Sequence, residues 1–400
     1  MHIVFLSQRI PYPPNKGEKL RTYHQIEHLH SLGHRITVLA PCASLEEQNN
    51  ANALSQHLNI EVHTANLPNK LSRLVRALLT GSSFSEANFY SPKLVKLLQQ
   101  QINDCDALIV TASSLAPYIT RVSNTNDILM LMDFMDVDSD KWQQYALASS
   151  WPKKWVYSRE SAKIKQLEQH TVKHFEHSFL IAQAEVDLFT KHVCASNKLS
   201  VLGNGIDHRL FAPGADKSHN ANEPVFFFAG VMDYKPNIDA VHWFVEHCWP
   251  NIIAVHPKAS FVIGGMNPVK SINALAQQPN ITVTGFVDDI IPYFQQATVF
   301  IAPFQIARGV QNKVLQAMSC ALAVVTTPMG AEGILHTHGE NMMVATDASS
   351  FSQHCIALAS NATQCQQLGD AAREVILNNY AWPSVLAPLV KVLQANHKGE

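Results

Sequence analysis

No stretch of the 400 residues approaches the ~20 consecutive apolar positions of a bilayer-spanning helix, so none is expected. The opening Met1-His2-Ile3-Val4-Phe5-Leu6 turns polar at Ser7-Gln8-Arg9. It lacks a charged segment followed by a long apolar one, which argues against a secretory signal. The seven cysteines are odd in number, scattered from Cys42 to Cys365, and include no CxxC pair. Neither a zinc knuckle nor a disulfide framework is indicated, and a reducing, cytoplasmic setting fits best. Charge is scarce and balanced: 30 Lys+Arg stand against 32 Asp+Glu, a formal net charge of -2. There is no protein-wide basic footprint, and no nucleic-acid partner is expected. Internal repeats and low-complexity tracts are also missing. What is present is 46% hydrophobic and 16% charged, which excludes a mostly disordered chain. At ~150 residues per domain, the length suggests two or three domains.

Short apolar runs alternate with longer periodic stretches. Residues 2–6, 35–40, 107–111, 128–132 and 178–182 read as buried strands. Residues 18–32 read as a helix, with Gly33 as its C-terminal stop. This rhythm predicts an α/β, doubly wound parallel sheet covered on both faces. The polar segment 213–224 breaks the pattern and reads as a linker. Beyond it come strands at 225–229, 260–264, 281–284, 298–302, 322–326 and 342–345, with helices at 237–248 and 310–320. The expected organisation is an N-terminal Rossmann-like domain over 1–212 and a C-terminal one over 225–382. Ligands of such sheets sit beyond the carboxyl ends of the strands. Two domains facing a central cleft would suit an enzyme that joins two substrates.

One segment is informative on geometry alone. A strand ends at Pro303, a short loop carries Arg308 and Gly309, a helix is expected to open near Val310, and Lys313 follows one turn on. Free amides at a helix N-terminus make an anion site. Gly309 lets backbone approach a ligand, and Arg308 offers a forked contact to phosphate. The alternative is an ordinary connection with a solvated arginine.

Several stretches, in order, resemble the retaining GT-B glycosyltransferases of family 4. They are Val201-Leu202-Gly203-Asn204-Gly205-Ile206-Asp207, Gly285-Phe286-Val287-Asp288-Asp289, Ala317-Met318-Ser319-Cys320-Ala321 and Gly339-Glu340-Asn341. Three more look like the sugar transferases associated with PEP-CTERM/exosortase exopolysaccharide systems: Asp133 to Ser139, Gly230 to Asn237, and Ala307 to Lys313. The resemblance implies a nucleotide-diphosphate sugar donor, a saccharide or lipid-linked saccharide acceptor, no metal and no other cofactor. It also implies a last helix, within 383–400, that crosses back to the N-terminal domain.

The resemblance carries site expectations with it. Family 4 commonly places two glutamates seven residues apart around the donor loop, and here those positions are Arg308 and Gln316. Arginine accepts no hydrogen bond, so a phosphate contact replaces the sugar contact. Gln316 can still accept from ribose hydroxyls. Gly17, in the loop after the first strand, matches a glycine that approaches donor diphosphate or acceptor. Lys16 and Arg21 flank it with positive charge, although a plain proline-rich turn is the other reading. Asp133 stands where many members place a histidine, and with Asp136 it could orient or deprotonate an acceptor hydroxyl. A helix cap with solvated acids is the alternative for Asp136 and Asp138. Lys235 falls where the family carries basic residues for the diphosphate. Asp133 and Arg308 are thus the expected catalytic residues, and Gly17, Lys235, Gly309, Val310, Lys313 and Gln316 join Arg308 on the donor.

The pairs His24/His28 and His170/His174 lack an accompanying carboxylate motif, so no metal is expected there. Residues 68–80 form a basic amphipathic helix. Such a helix either packs its apolar face on the sheet or lies in a membrane interface at the inner face of the cytoplasmic membrane. Trp151, Lys153, Lys154 and Trp155 add an interfacial hint. Against the transferase reading stand a catalytically weak or inactive GT-B-shaped subunit, motivated by Arg308 and Gln316, and a sugar-nucleotide epimerase.

Overall fold

The longest uninterrupted apolar runs become strands buried on both faces. The computed structural model describes residues 1–15, 17–125, 127–214, 223–307 and 309–396. Lys16, Arg308 and most of the expected linker lie outside them. The chain divides into two compact units, Met1–Asn204 together with the segment from Val385 onward, and Gly205–Ser384.

In the first unit, β1 (His2–Ser7) is buried at every position. It lies between β2 (Arg35–Cys42) and β4 (Ala107–Thr111), parallel to both. With β3 (Glu61–Asn66), β5 (Leu129–Met135), β6 (His177–Leu180) and β7 (Leu199–Val201), the seven-stranded order is β3-β2-β1-β4-β5-β6-β7, and every pairing is parallel. The outer strands β3 and β7 were not apparent in the sequence. Both are half-exposed edges with polar residues, so neither makes an apolar run.

The second unit holds β8 (Val225–Ala229), β9 (Ser260–Gly264), β10 (Ile281–Gly285), β11 (Val299–Ala302), β12 (Ala323–Thr326) and β13 (Met343–Val344), in the order β10-β9-β8-β11-β12-β13. It too is parallel throughout. Phe226, Phe227 and Phe228 on β8 are fully buried, and Phe227 meets Phe294 edge-on at 5.1 Å. Doubly wound sheets were expected from the rhythm, and both units have them.

The division falls at Asn204/Gly205, ahead of the expected boundary at 212. The reason is local bonding. The Ile206 N–H donates to the Tyr380 carbonyl at 2.7 Å, and Arg373 Nη1 donates to the Phe211 carbonyl at 3.3 Å. Gly205 lies so close to the Trp382 ring that a Cβ would come within 2.6 Å of it. Residues 205–211 are therefore stitched to the second unit. The Ala387–Asn396 helix is grouped with the first unit, and its Leu389 and Leu393 are buried.

Candidate functional site

The carboxyl ends of β8 and β9 meet closer than side chains would permit. Gly265 has φ +138°, and a Cβ there would stand 1.7 Å from the Gly230 carbonyl oxygen. At Gly230, a Cβ would fall 2.7 Å from Asn237 Nδ2 and 3.0 Å from Lys313 Nζ. Glycine at both positions lets two strand ends form the floor of a cleft of about 830 Å³, whose lining includes Tyr234, Asn237, Met266, Phe286, Lys313 and Gln316.

Lys313 dominates the electrostatics. It sits in the first turn of the Asn312–Ser319 helix. Its Nζ donates to Asn237 Oδ1 at 2.7 Å, while Asn237 Nδ2 donates to the Val231 carbonyl at 2.8 Å. The same ammonium lies 4.9 Å from the Phe304 ring centroid and 5.3 Å from that of Phe228. Among the described residues no carboxylate pairs with it. Burial lowers its pKa to about 8, because the ring faces and one amide oxygen replace water poorly. A partly dehydrated cation at the helix N-terminus, on a glycine floor, is built to receive an anion. Gln316 lies three residues on and shares the lining. Its amide can accept from or donate to hydroxyls.

Other expected donor residues are placed differently. The helix opens at Asn312 rather than near Val310. Gly309, with φ +69°, holds the chain out of helical conformation just before it. Gly309 and Val310 therefore precede the helix and stand outside the cleft lining. Lys235 is a correction as well. It is 79% exposed and ion-paired to Asp239 at 2.7 Å, one turn along its own helix, rather than in the cleft. Asn237 and Gly265 carry roles that the sequence reading missed. The available signals were the Gly264-Gly265 doublet after an apolar strand and the Pro236-Asn237 pair at a helix start.

In the first unit, Asp133 and Arg21 are not a free acid and a free cation. Arg21 Nε and Nη2 donate to the two Asp133 oxygens at 2.7 and 2.6 Å, and both side chains are buried. Gln25 Nε2 adds a 2.6 Å bond to Asp133, and Arg21 Nη1 donates to the Leu202 carbonyl. The Met135 N–H adds a fourth bond to Asp133 Oδ1 at 3.3 Å, so the carboxylate is fixed from every side. The pair ties the first helix to β5 and to the chain after β7, so the expected catalytic and acceptor-side roles give way to a structural one. Asp136 is exposed. Asp138 accepts from Ser113 Oγ at 3.0 Å, and burial raises its pKa. Gly17 opens the Gly17–Ser31 helix with nothing within 4 Å of a hypothetical Cβ.

Among the described residues, no three His, Cys, Asp or Glu side chains gather to hold a metal ion. His170 and His174 stack on each other at 3.9 Å. No helix among the described residues is long and apolar enough to cross a membrane.

Residues 223–361, which contain this cleft, match the family model for glycosyl transferases group 1. The fold is GT-B. The chain resembles HepE of Anabaena in complex with UDP (14% identical, 99% of this chain and 100% of that one, TM-score 0.60). It also resembles a variant of S. aureus TarM in complex with fondaparinux, alpha-GlcNAc-glycerol and UDP (12%, 100% of both chains, TM-score 0.59). In sequence it is 22% identical to an uncharacterized 44.6 kDa protein in the cps region of Klebsiella pneumoniae, over 97% of this chain and 99% of that protein.

Proposed function

We propose that this GT-B protein is a retaining, metal-independent glycosyltransferase of the family 4 type. It would move a hexosyl-type sugar from a nucleotide-diphosphate sugar to a growing, lipid-linked exopolysaccharide. The observation that carries the reading is the partly dehydrated Lys313 ammonium on the Gly230–Gly265 floor, which among the described residues has an amide oxygen but no carboxylate partner. It is supported by the group 1 match over the same unit. HepE, with the same fold, was solved with UDP-glucose, which makes a UDP-sugar the first donor to try. The cps-region relative favours a polysaccharide product. The resemblance to exosortase-associated sugar transferases points the same way.

On this reading, Lys313 and Arg308 contact the diphosphate, and Gln316 bonds the ribose. The bond from the anomeric carbon to the diphosphate breaks while the acceptor oxygen bonds the same face of the sugar. The acceptor's proton passes to the leaving phosphate oxygen. Lys313 and Arg308 stabilise charge growing on that diphosphate, which is where fixed cations accelerate transfer most. The positive charge comes from side chains, so the step needs no metal, and no protein nucleophile is required.

The test is incubation with UDP-, GDP- and ADP-sugars, with and without lipid-linked acceptor, reading nucleotide release. Release is expected with one donor class, falling about 10- to 100-fold in Lys313→Ala, the cost of a lost charge-assisted bond. Binding without turnover under every condition would instead indicate a non-enzymatic subunit. Sugar interconversion without nucleotide release would indicate an epimerase.

A further inference from the structure

The Lys70–Thr80 helix is mounted the wrong way round for a helix that only packs on its own domain. Its apolar stripe, Leu71, Leu74, Val75, Leu78 and Leu79, is exposed, with Leu71 at 71% and Leu79 at 82%. The side it turns to the protein carries Arg73, Arg76 and Ala77. Arg73 Nη1 donates to Asn88 Oδ1 at 2.7 Å, and the Arg76 guanidinium lies 3.6 Å over the Tyr90 ring. The polar face anchors and the apolar face is presented. Ordinary surface helices do the reverse.

A second element with exposed apolar residues adjoins this helix. Trp142 lines one groove with Lys70, Arg73 and Leu74. Trp142 lies midway along the first helix of the hairpin formed by Asp138–Leu147 and Lys153–His174, on which Leu147, Trp151 and Trp155 are exposed, Trp151 at 82%. Arg159 of that hairpin donates to the Ser82 carbonyl at 3.0 Å, joining it to the chain just after the first helix.

Charge selects the occupant. Residues 67–85 contain Lys70, Arg73 and Arg76 and no Asp or Glu. Residues 141–159 contain Lys141, Lys153, Lys154 and Arg159 and again no Asp or Glu. Of these seven cations, Lys70, Lys141, Lys153 and Lys154 are exposed, whereas Arg73, Arg76 and Arg159 are turned to Asn88, Tyr90 and Ser82. The flanking acids are Glu86, ion-paired with Arg121 at 2.8 Å, Glu160, accepting from the Phe84 and Ser85 amides at 2.7 Å, and Asp140, accepting from Gln144 Nε2 at 2.6 Å. A second copy of the same face would set these four exposed lysines against four like charges. An anionic lipid surface takes leucine, interfacial tryptophan and lysine together.

We propose that this face of the N-terminal unit docks on an anionic lipid bilayer, with Leu71, Leu74, Val75, Leu78 and Leu79 inserted at the acyl boundary. Trp151 and Trp155 sit at headgroup level, and Lys153 and Lys154 lie against lipid phosphates. The full-length protein is floated with vesicles of phosphatidylcholine alone or mixed with phosphatidylglycerol, with no sugar donor or acceptor present. A failure here therefore leaves the transfer reading untouched. Binding to mixed vesicles is expected to exceed binding to neutral ones at least about tenfold, and to weaken with added salt. Leu74→Asp with Leu78→Asp should lower it at least about tenfold. Lys153→Glu with Lys154→Glu should lower it roughly fivefold per charge. Circular dichroism melts should match wild type, because these side chains are exposed, and Trp151→Ser with Trp155→Ser serves should the leucine variant unfold. Wild-type protein that ignores both vesicle types would overturn the proposal. So would a folded leucine variant that binds as wild type does. So would a lipid-free dimer that the leucine variant dissociates while vesicle binding is absent.

Discussion

A lysine with one amide oxygen and two ring faces for company holds its charge at a cost. The Lys313 pKa of about 8 expresses that cost, and an anion in the cleft would remove it. Below pH 8 the side chain is a cation and attracts diphosphate, and above it the amine is neutral. UDP affinity measured by calorimetry should therefore be flat to about pH 7 and fall as pH passes 8. Lys313→Gln should bind more weakly and lose the step. The buried pair Arg21–Asp133 invites the opposite test. Removing one member strands a charge, so Arg21→Met or Asp133→Asn should lower unfolding free energy by ~3–5 kcal/mol. Arg21→Met with Asp133→Leu should recover much of it. Chemical denaturation measures both, and a large activity loss with unchanged stability would contradict the structural role. Sequence alone showed a carboxylate at a strand end and an arginine in a helix. It could not show that residues 112 apart are bonded, because pairing across a sheet depends on topology rather than spacing. Lys313 stood out in the sequence as a candidate, while its partner Asn237 and its dehydration were not visible there.

Elements were readable where burial is complete and obscure where it is partial. Central strands announce themselves as apolar runs, but β3 and β7 carry mixed residues and were passed over. The stripe on residues 70–80 was equally plain, yet a periodic pattern says nothing about which way the stripe faces, and here it faces out. Between helices, Glu168 of the Lys153–His174 helix accepts from the Ser139 amide at 3.0 Å and hydroxyl at 2.5 Å, capping the start of the Asp138–Leu147 helix. Burial raises its pKa from 4.5 to about 7, against the opposing pull of those bonds. A carboxyl raised on folding favours the folded state when protonated. That contribution is full below about pH 4.5 and gone above about pH 7. Relative to Glu168→Gln, wild type should lose about 3 kcal/mol of stability across that window. Thermal melts of the two proteins at pH 5 and pH 8 give the difference.

At the scale of the whole chain, two doubly wound sheets were legible from the alternation of strand and helix. The boundary was not, because it is set by hydrogen bonds from residues 205–211 to the Tyr380 and Arg373 region rather than by composition. The last helix is grouped with the first unit although the whole second unit separates them in sequence. Ending the chain after Ser384 removes Leu386, Leu389 and Leu393, all buried. At ~1.5–3 kcal/mol for each buried leucine, the first unit should lose roughly 5–9 kcal/mol and unfold earlier in a urea titration.

The contact between Gly230 and Gly265 leaves evolution little freedom on one side of the cleft. Any larger residue at Gly265 would collide with the Gly230 main chain, which has no rotamer to turn away, and one at Gly230 would displace the Asn237 and Lys313 side chains. Freedom to vary lies with lining positions that carry side chains, such as Tyr234, Met266 and Phe286, and, if the proposed donor reading of the cleft holds, redesign of donor choice should begin with those three.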